Sequence, residues 1–409
     1  MIVPPALPYL NCVRKCCAEL ADFEFDSSSA EPFAAMEYDA ERRIKHLALK
    51  RFWKGNELPG TPDEPIAATL PRHYRATSKR KGVFKNGHLE LLHMGKVSPD
   101  SVRRHLQYSI LEPDLHHKIY ELVLEILSKP AFQFAARNLN YCIIRGPYKN
   151  PSVILNLAKL DSSIVRKFKI IADELKKEIP ETSSCFLYLD ESRSEYYLES
   201  KRPEGRTPSF KKLFGSPWLD MTLPNGKRLL YPPTGFSQIN EAMLPCFLET
   251  AEKLIQPDQE SDLLDLYCGY GLLGLSMAEK LHSVTGVEID GSSVKCAENS
   301  AAHLYPEKNI RYVRGMIGPE LLRNKLPETD GGELQILDPP KIGTADGVIH
   351  ALGRRDPRRV LHIFCGIDTI PDSIRQWKKT GYEPRRIVPL DFFPGTPNLE
   401  TMILFEKNE

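Results

Sequence analysis

Residues 262–274, DLLDLYCGYGLLG, decide the fold of this chain. Leu263, Leu264, Leu266 and Tyr267 form an apolar run that leads straight into Gly269, Gly271 and Gly274. A helical pattern over 275–281 follows at once. This order predicts a buried strand, a tight turn and the start of a helix. Glycines at the turn let a ligand approach the backbone, and the helix start offers N–H groups without partners inside the helix. A dinucleotide fingerprint also places an acid about 20 residues past its first glycine, where it meets a ribose. Residues 284–288, VTGVE, supply that acid as Glu288 at the end of a second strand. The stretch therefore predicts a nucleoside-cofactor site.

Which cofactor stays open at this point. Gly274 completes G-x-G-x-x-G, so a nicotinamide dinucleotide fits the turn as well as S-adenosylmethionine does.

Downstream, strand and helix patterns alternate over 284–288, 292–304, 310–315, 334–337, 345–352, 360–364, 371–379 and 386–392, with a last strand over 401–405. That alternation predicts a doubly wound α/β sheet, whose ligands sit at the carboxyl ends of its strands. Asp338 stands at such an end, after the apolar run LQIL and before two rigid prolines. Cys365 ends the run LHIF, where a thiol of lowered pKa is a nucleophile. Glu400 lies in the loop before the last strand. A thiol and a carboxylate so placed are suited to flank one substrate as nucleophile and proton acceptor.

Upstream the texture changes twice. Residues 1–60 read as helical, with Ile44, Leu47, Leu49 and Phe52 as the apolar stripe of one helix. Residues 58–71 are proline-rich and read as a linker. Residues 72–225 read as a mixed α+β module. It opens with Arg72, Arg75, Lys79, Arg80, Lys81, Lys85 and Lys96 against the single acid Glu90. Lys85-Asn86-Gly87-His88 signals a hairpin, and a basic hairpin with Tyr74 and Phe84 suits RNA. Arg75, Lys79, Arg80 and Lys81 are the expected RNA contacts. A second basic group is Lys201, Arg202, Arg206, Lys211 and Lys212.

Bulk composition agrees with a globular chain of several domains: 409 residues, 41% hydrophobic, 27% charged, formal net charge +1. The nine cysteines form no C-x-x-C, so no zinc or iron–sulfur site is expected. No membrane span and no secretory signal are expected either, which places the protein inside the cell, in cytoplasm, nucleus or organelle.

The set GFSQIN, DLYCGYG, GVEID, DPPKIG, IFCG and LDFFPGTPNLE, in that order, resembles the RNA 5-methyluridine methyltransferases. The resemblance is specific over the C-terminal half and loose before it. It implies a Rossmann-like methyltransferase domain over 229–409, preceded by the α+β RNA-binding module. It implies S-adenosylmethionine as cofactor and Cys365 as the nucleophile that adds to carbon 6 of uracil. Glu400 then removes the proton from carbon 5. Gln238, Tyr267, Gly269, Gly271, Glu288 and Asp338 fall on cofactor and active-site positions, with Asp338 also at the uracil edge. The target base must be flipped from its stack. Because the four-cysteine pattern and an extra β-barrel are not found, the chain is most similar to the branch acting on the tRNA T-loop, with rRNA open.

Five departures accompany the likeness. Gly366-Ile367 stands where Asn-Pro follows the family's cysteine, Asp372-Ser373 stands where an Arg-Asp pair often comes a little later, and Lys341 replaces an arginine. Leu272 replaces an asparagine, and Gly315-Met316 lacks an acid after the third strand. These leave room for a methyltransferase with another target, or for an RNA-binding relative of reduced activity.

Overall fold

The computed structural model describes residues 7–20, 23–93, 102–103, 106–191, 193, 210–327 and 332–407. The glycine turn begins a seven-stranded sheet: β1 (Asp262–Leu266), β2 (Ser283–Glu288), β3 (Asn309–Arg314), β4 (Leu334–Leu337), β5 (Arg359–Phe364), β6 (Tyr382–Leu390) and β7 (Glu400–Lys407). Their order across the sheet is β3-β2-β1-β4-β5-β7-β6. Strands β1 to β5 run parallel, while β7 is antiparallel to both β5 and β6. Strand order reverses between β1 and β4, and such a switch point is where open α/β sheets bind ligands. The fold is the expected Rossmann-like one.

The apolar runs make this sheet because both its faces are covered. Successive side chains point to opposite faces. Leu263, Val284, Leu361 and Ile363 pack under the helices Leu244–Ile255 and Gly291–Leu304. Leu264, Leu266, Val360 and Phe364 pack on the other face, under Val348–Gly353 and Ile370–Lys379. The N-terminal helices Tyr9–Leu20 and Tyr38–Gly55 share that second core, through Val13, Ile44, Leu49 and Phe52. Local caps agree with the sequence: Asp290 accepts the N–H groups of Ser292 (3.3 Å) and Ser293 (3.0 Å) at the start of Gly291–Leu304.

Residues 58–71, read as a linker, do more. The N–H groups of Asp63 and Ile66 donate to the carbonyls of Ile387 and Pro389, and the Asp391 N–H donates to the Ile66 carbonyl. The segment thereby covers the outer edge of β6. An unpaired edge strand is a hazard for association, so a proline-rich cover is a physical gain.

The preceding module holds an eight-stranded sheet among the described residues. Its centre is Leu139–Arg145 paired with Ser152–Leu157, both wholly buried. The helices Asp114–Leu127 and Ser162–Glu178 cover one face. The hairpin signal holds: Lys85 faces His88, with Asn86 (φ 48°) and Gly87 (φ 82°) both left-handed. Lys96, Lys201, Arg202 and Arg206 lie outside the described residues. Lys211 and Lys212 are exposed on the edge strand Phe210–Gly215.

Candidate active site

The turn after β1 is strained in a telling way. Tyr267 takes φ 61°, a left-handed backbone that costs a bulky residue on the order of 1–3 kcal/mol. Gly269 (φ 56°) and Gly271 (φ 83°) complete the turn, and Gly271 precedes the helix Leu272–Met277. A Cβ on Gly271 would lie 2.5 Å from the Tyr312 hydroxyl, whereas one on Gly269 would meet nothing within 4 Å. Gly271 is thus held to glycine by packing, and Gly269 faces open space over the turn.

Glu288 reaches this turn from β2. One carboxylate oxygen accepts the Gly269 N–H (3.0 Å), and the other accepts those of Ile289 (2.7 Å) and Asp290 (2.8 Å). The acid and the glycine turn, apart in sequence, therefore form one unit. Tyr267 is half-buried, and burial pushes its hydroxyl up to about 12. Gln238 is half-exposed. Its loop is fastened from the neighbouring module by the buried Arg145, which donates to the carbonyls of Pro233 (2.6 Å) and Gly235 (2.5 Å) and to the Ser237 hydroxyl (2.9 Å). Sequence reasoning passed over Arg145, because nothing in a largely apolar strand says which partner its one cation meets.

Asp265 was also passed over, although an acid inside an apolar strand is a visible signal. It is wholly buried in the centre of β1. One oxygen accepts the Gly274 N–H (2.9 Å) and the other has no hydrogen-bond partner. Burial raises its carboxyl to about 7, with Asp338 and Glu288 adding repulsion. A carboxyl held above its unfolded value binds its proton more tightly when folded. Its contribution to stability is therefore present at acid pH and lost as pH rises through about 7. Asp265→Asn keeps an acceptor for Gly274 and stays neutral. It is expected to melt higher than the parent at pH 8, by on the order of 3 kcal/mol, and no higher at pH 4. A pH series of thermal melts checks this.

The three candidate chemical residues meet at the carboxyl end of the parallel strands. In the β5–β7 ladder Phe364 faces Thr401, and in the β6–β7 ladder Leu390 faces Glu400. Cys365 follows Phe364 and Glu400 precedes Thr401, so thiol and carboxylate stand side by side across the ladder. β4 adjoins β5 with Leu337 opposite His362, which brings Asp338 and Pro339 alongside. The Cys365 Sγ lies 3.9 Å from the Pro339 carbonyl.

Their charges interact. Glu400 is 2% exposed, and burial, reinforced by Asp338, holds its carboxyl well above the usual range. Asp338 is pushed to about 7 by burial of its carboxyl. Cys365 is half-exposed, and its thiol is raised to about 12 by burial first, then by Glu400 and Asp338, with Lys341 acting the other way. A cavity of about 430 Å³ opens beside Cys365 and Lys341, its far wall formed by Tyr9, Phe25 and Pro32. Gly366 is fixed by packing: a Cβ there would fall 2.4 Å from the Lys341 carbonyl. Leu272 is buried in the core, and Met316 is 77% exposed.

The expected RNA contacts divide, and Tyr74 is not among the surfaces RNA could reach: it is wholly buried ahead of the hairpin, its hydroxyl donating to the Pro394 carbonyl (2.9 Å). Arg75, Lys79 and Lys81 are each half-buried on the first strand and its approach. Arg80 is not available to RNA. It is wholly buried and forms two short bonds to Glu112 (2.8 and 2.6 Å), with a third to the Gln107 carbonyl (2.6 Å). Alternation along the strand Ser78–Lys85 turns it inward, where its charge is neutralised. Arg80→Ala is expected to cost about 3–5 kcal/mol, since it strands a buried carboxylate, and to leave the salt dependence of RNA binding unchanged. Urea unfolding and salt titrations separate the two effects.

Three comparisons bear on this arrangement. Residues 205–324 match the model of the tRNA (uracil-5-)-methyltransferase family, a span that stops short of Asp338, Cys365 and Glu400. An uncharacterized RNA methyltransferase of Enterococcus faecalis is 24% identical over 397 residues, 94% of this chain and 83% of that one. An uncharacterized RNA methyltransferase of Streptococcus mutans is 26% identical over 66% of this chain and 56% of its own length. The 23S rRNA (uracil(1939)-C(5))-methyltransferase RlmD of Cronobacter sakazakii is 30% identical over 192 residues, 47% of this chain and 43% of the relative. The chain thus spans about half the length of the last two. The structure of Pyrococcus abyssi tRNA (uracil-54, C5)-methyltransferase, solved with S-adenosyl-L-homocysteine, superposes with a TM-score of 0.67 at 16% identity. It covers 93% of this chain and 86% of that one, a likeness of fold. Residues 205–324 are thus similar in sequence to the tRNA (uracil-5-)-methyltransferases, the chain is similar over most of its length to an RNA methyltransferase, and its fold is that of the Pyrococcus enzyme.

Proposed function

We propose that the protein methylates carbon 5 of a uridine in RNA, using S-adenosylmethionine. The observation that carries this is the strand register that sets Cys365 between Glu400 on one neighbouring strand and the end of the Asp338 strand on the other. Carbon 5 of uracil is a weak nucleophile until a group adds to carbon 6. The Cys365 sulfur, as thiolate, forms that bond and pushes electron density onto the ring carbonyl and carbon 5. Burial biases the Asp338 carboxyl toward its protonated form, in which it can donate to the uracil carbonyl as that oxygen gains charge.

S-adenosylmethionine, when bound, supplies an electrophilic methyl group. Tyr267, Gly269, Gly271 and Glu288 would hold its nucleoside at the turn, with Gln238 and Asp338 toward its reactive end. The open face of Gly269 and the fixed Glu288 carboxylate support that assignment. Glu400 then takes the proton from carbon 5. The electron pair of that C–H bond restores the carbon 5–carbon 6 double bond, and the sulfur leaves carbon 6 with its own pair. Over the cycle the ring gives up one proton, and Cys365 recovers the proton it lost on addition.

Lys341, exposed beside Cys365, and Arg75, Lys79 and Lys81 are assigned to RNA phosphates. The matched family description favours tRNA, and the Cronobacter relative favours 23S rRNA. The nine cysteines are all free thiols, which favours a reducing compartment inside the cell. No helix of the described residues is long and apolar enough to cross a membrane. The test is to incubate the purified protein with unmodified tRNA and rRNA and S-adenosylmethionine, then digest and weigh the nucleosides. 5-Methyluridine is expected in one pool. A methylated amine, or no methylated base in either pool, would overturn the proposal.

A further inference from the structure

No step above uses the ion cluster buried between the N-terminal region and the loop that leads to Glu400. Lys45, wholly buried on the helix Tyr38–Gly55, places its ammonium 2.7 Å from Glu41 and 2.8 Å from Asp391, and donates to the Phe393 carbonyl (3.2 Å). Glu41 accepts the Gly395 N–H (2.7 Å) on one oxygen and Arg72 (3.2 Å) on the other. Arg72 also donates to the carbonyls of Phe33, Ala34 and Met36, each at 2.9 Å. Phe33 in turn donates its N–H to the Gly395 carbonyl (2.9 Å), and the Tyr74 hydroxyl donates to the Pro394 carbonyl (2.9 Å). From the opposite side, Asn240 donates to the Phe392 carbonyl (3.0 Å).

Two cations and two carboxylates cancel here, which lets the group be buried. Apolar residues of the same volume would often be as stable. What the ions add is direction, because each hydrogen bond fixes an angle as well as a distance. The bonds from Lys45, Glu41, Phe33 and Tyr74 end on residues 391–395, the irregular loop that delivers Glu400 to the first position of β7. We infer that the Lys45–Glu41–Arg72–Asp391 cluster, together with the Tyr74 bond to the same loop, is a positioning device for Glu400, so that the N-terminal helix helps set the step that releases the product. The inference rests on the uridine chemistry proposed above.

Its consequence is confined to a late step. Sulfur addition and methylation precede proton removal, so a displaced Glu400 leaves the methylated uridine joined to Cys365. Lys45→Met loosens the cluster strongly, and Tyr74→Phe removes one bond and leaves every charge in place. Thermal melting shows which variants are folded. Each folded variant is mixed with substrate RNA and S-adenosylmethionine, and the denaturant-resistant protein–RNA adduct is followed with time, beside Glu400→Gln.

Methyl transfer in a single turnover is expected to stay within a few-fold of the parent. Adduct lifetime is expected to lengthen about tenfold or more for Lys45→Met and measurably for Tyr74→Phe. Folded Lys45→Met or Tyr74→Phe that releases RNA at the parental rate would overturn the inference, as would loss of melting temperature alone. If Lys45→Met does not fold, Tyr74→Phe decides. If Glu400→Gln itself traps no adduct while the parent methylates RNA, the chemistry proposed for Glu400 is at fault instead.

Discussion

Cys365→Ala is expected to lower uridine methylation by about 10⁴-fold or more, the scale of losing a covalent nucleophile. It is also expected to abolish any covalent RNA adduct. The size follows from the ring chemistry: without a bond to carbon 6, carbon 5 has almost no nucleophilic character. Stability should change little. Cys365 is half-exposed, and its sulfur makes one long contact, 3.9 Å to the Pro339 carbonyl. RNA affinity should also persist, because the substitution leaves in place every cation proposed to meet a phosphate. The measurement pairs initial rates using labelled methyl donor with RNA binding by the same preparation. A variant that keeps a tenth of parental activity would remove the thiol from the mechanism.

The thiol is raised to about 12 by burial, Glu400 and Asp338, so the resting protein carries it protonated at neutral pH. Activity should then rise with pH across the neutral range, since the thiolate fraction rises. A resting thiol also resists oxidation, which follows thiolate character.

Glu400→Gln should behave differently. Glutamine keeps the shape and cannot accept the carbon 5 proton, so addition and methyl transfer proceed while release fails. Turnover is expected to fall about 10³-fold, within the range for a general base, and the adduct should accumulate to a large fraction of the protein. The pH dependence adds a sign. Burial and Asp338 both hold Glu400 toward its protonated form, so the base is scarce at low pH and grows as pH rises. Release in the parent should speed up with pH, and the residual release in Glu400→Gln should lose that response. Rapid release with no adduct would mean that another group takes the proton.

The departures near the site have structural accounts of different kinds. Gly366 stands where the family carries asparagine, and the Lys341 carbonyl is too close for any side chain. Lys341 itself keeps a cation beside the pocket and gives up the planar fork of an arginine. Leu272 contributes to the core beneath the turn.

The strand, the glycine turn, the following helix and the acid that ends β2 were all legible in the sequence. They depend on apolar periodicity and on glycines in short windows, and such signals act over a few residues. Asp338 and Cys365 were legible as strand-end residues for the same reason, and Glu400 as a loop residue before the last strand, of which the structure makes it the first residue. Their adjacency was decided by the tertiary structure, because β7 enters between β5 and β6 and turns antiparallel. The fate of charges was decided there too. Arg80 counts as one more cation in a basic stretch until Glu112, 32 residues away, meets it inside the core. Lys45 looks like one face of a solvated helix, yet its partner Asp391 lies 346 residues on. Local propensity is set by neighbours in the chain. Burial and charge pairing are set by neighbours in space, and those exist only once the sheet has closed.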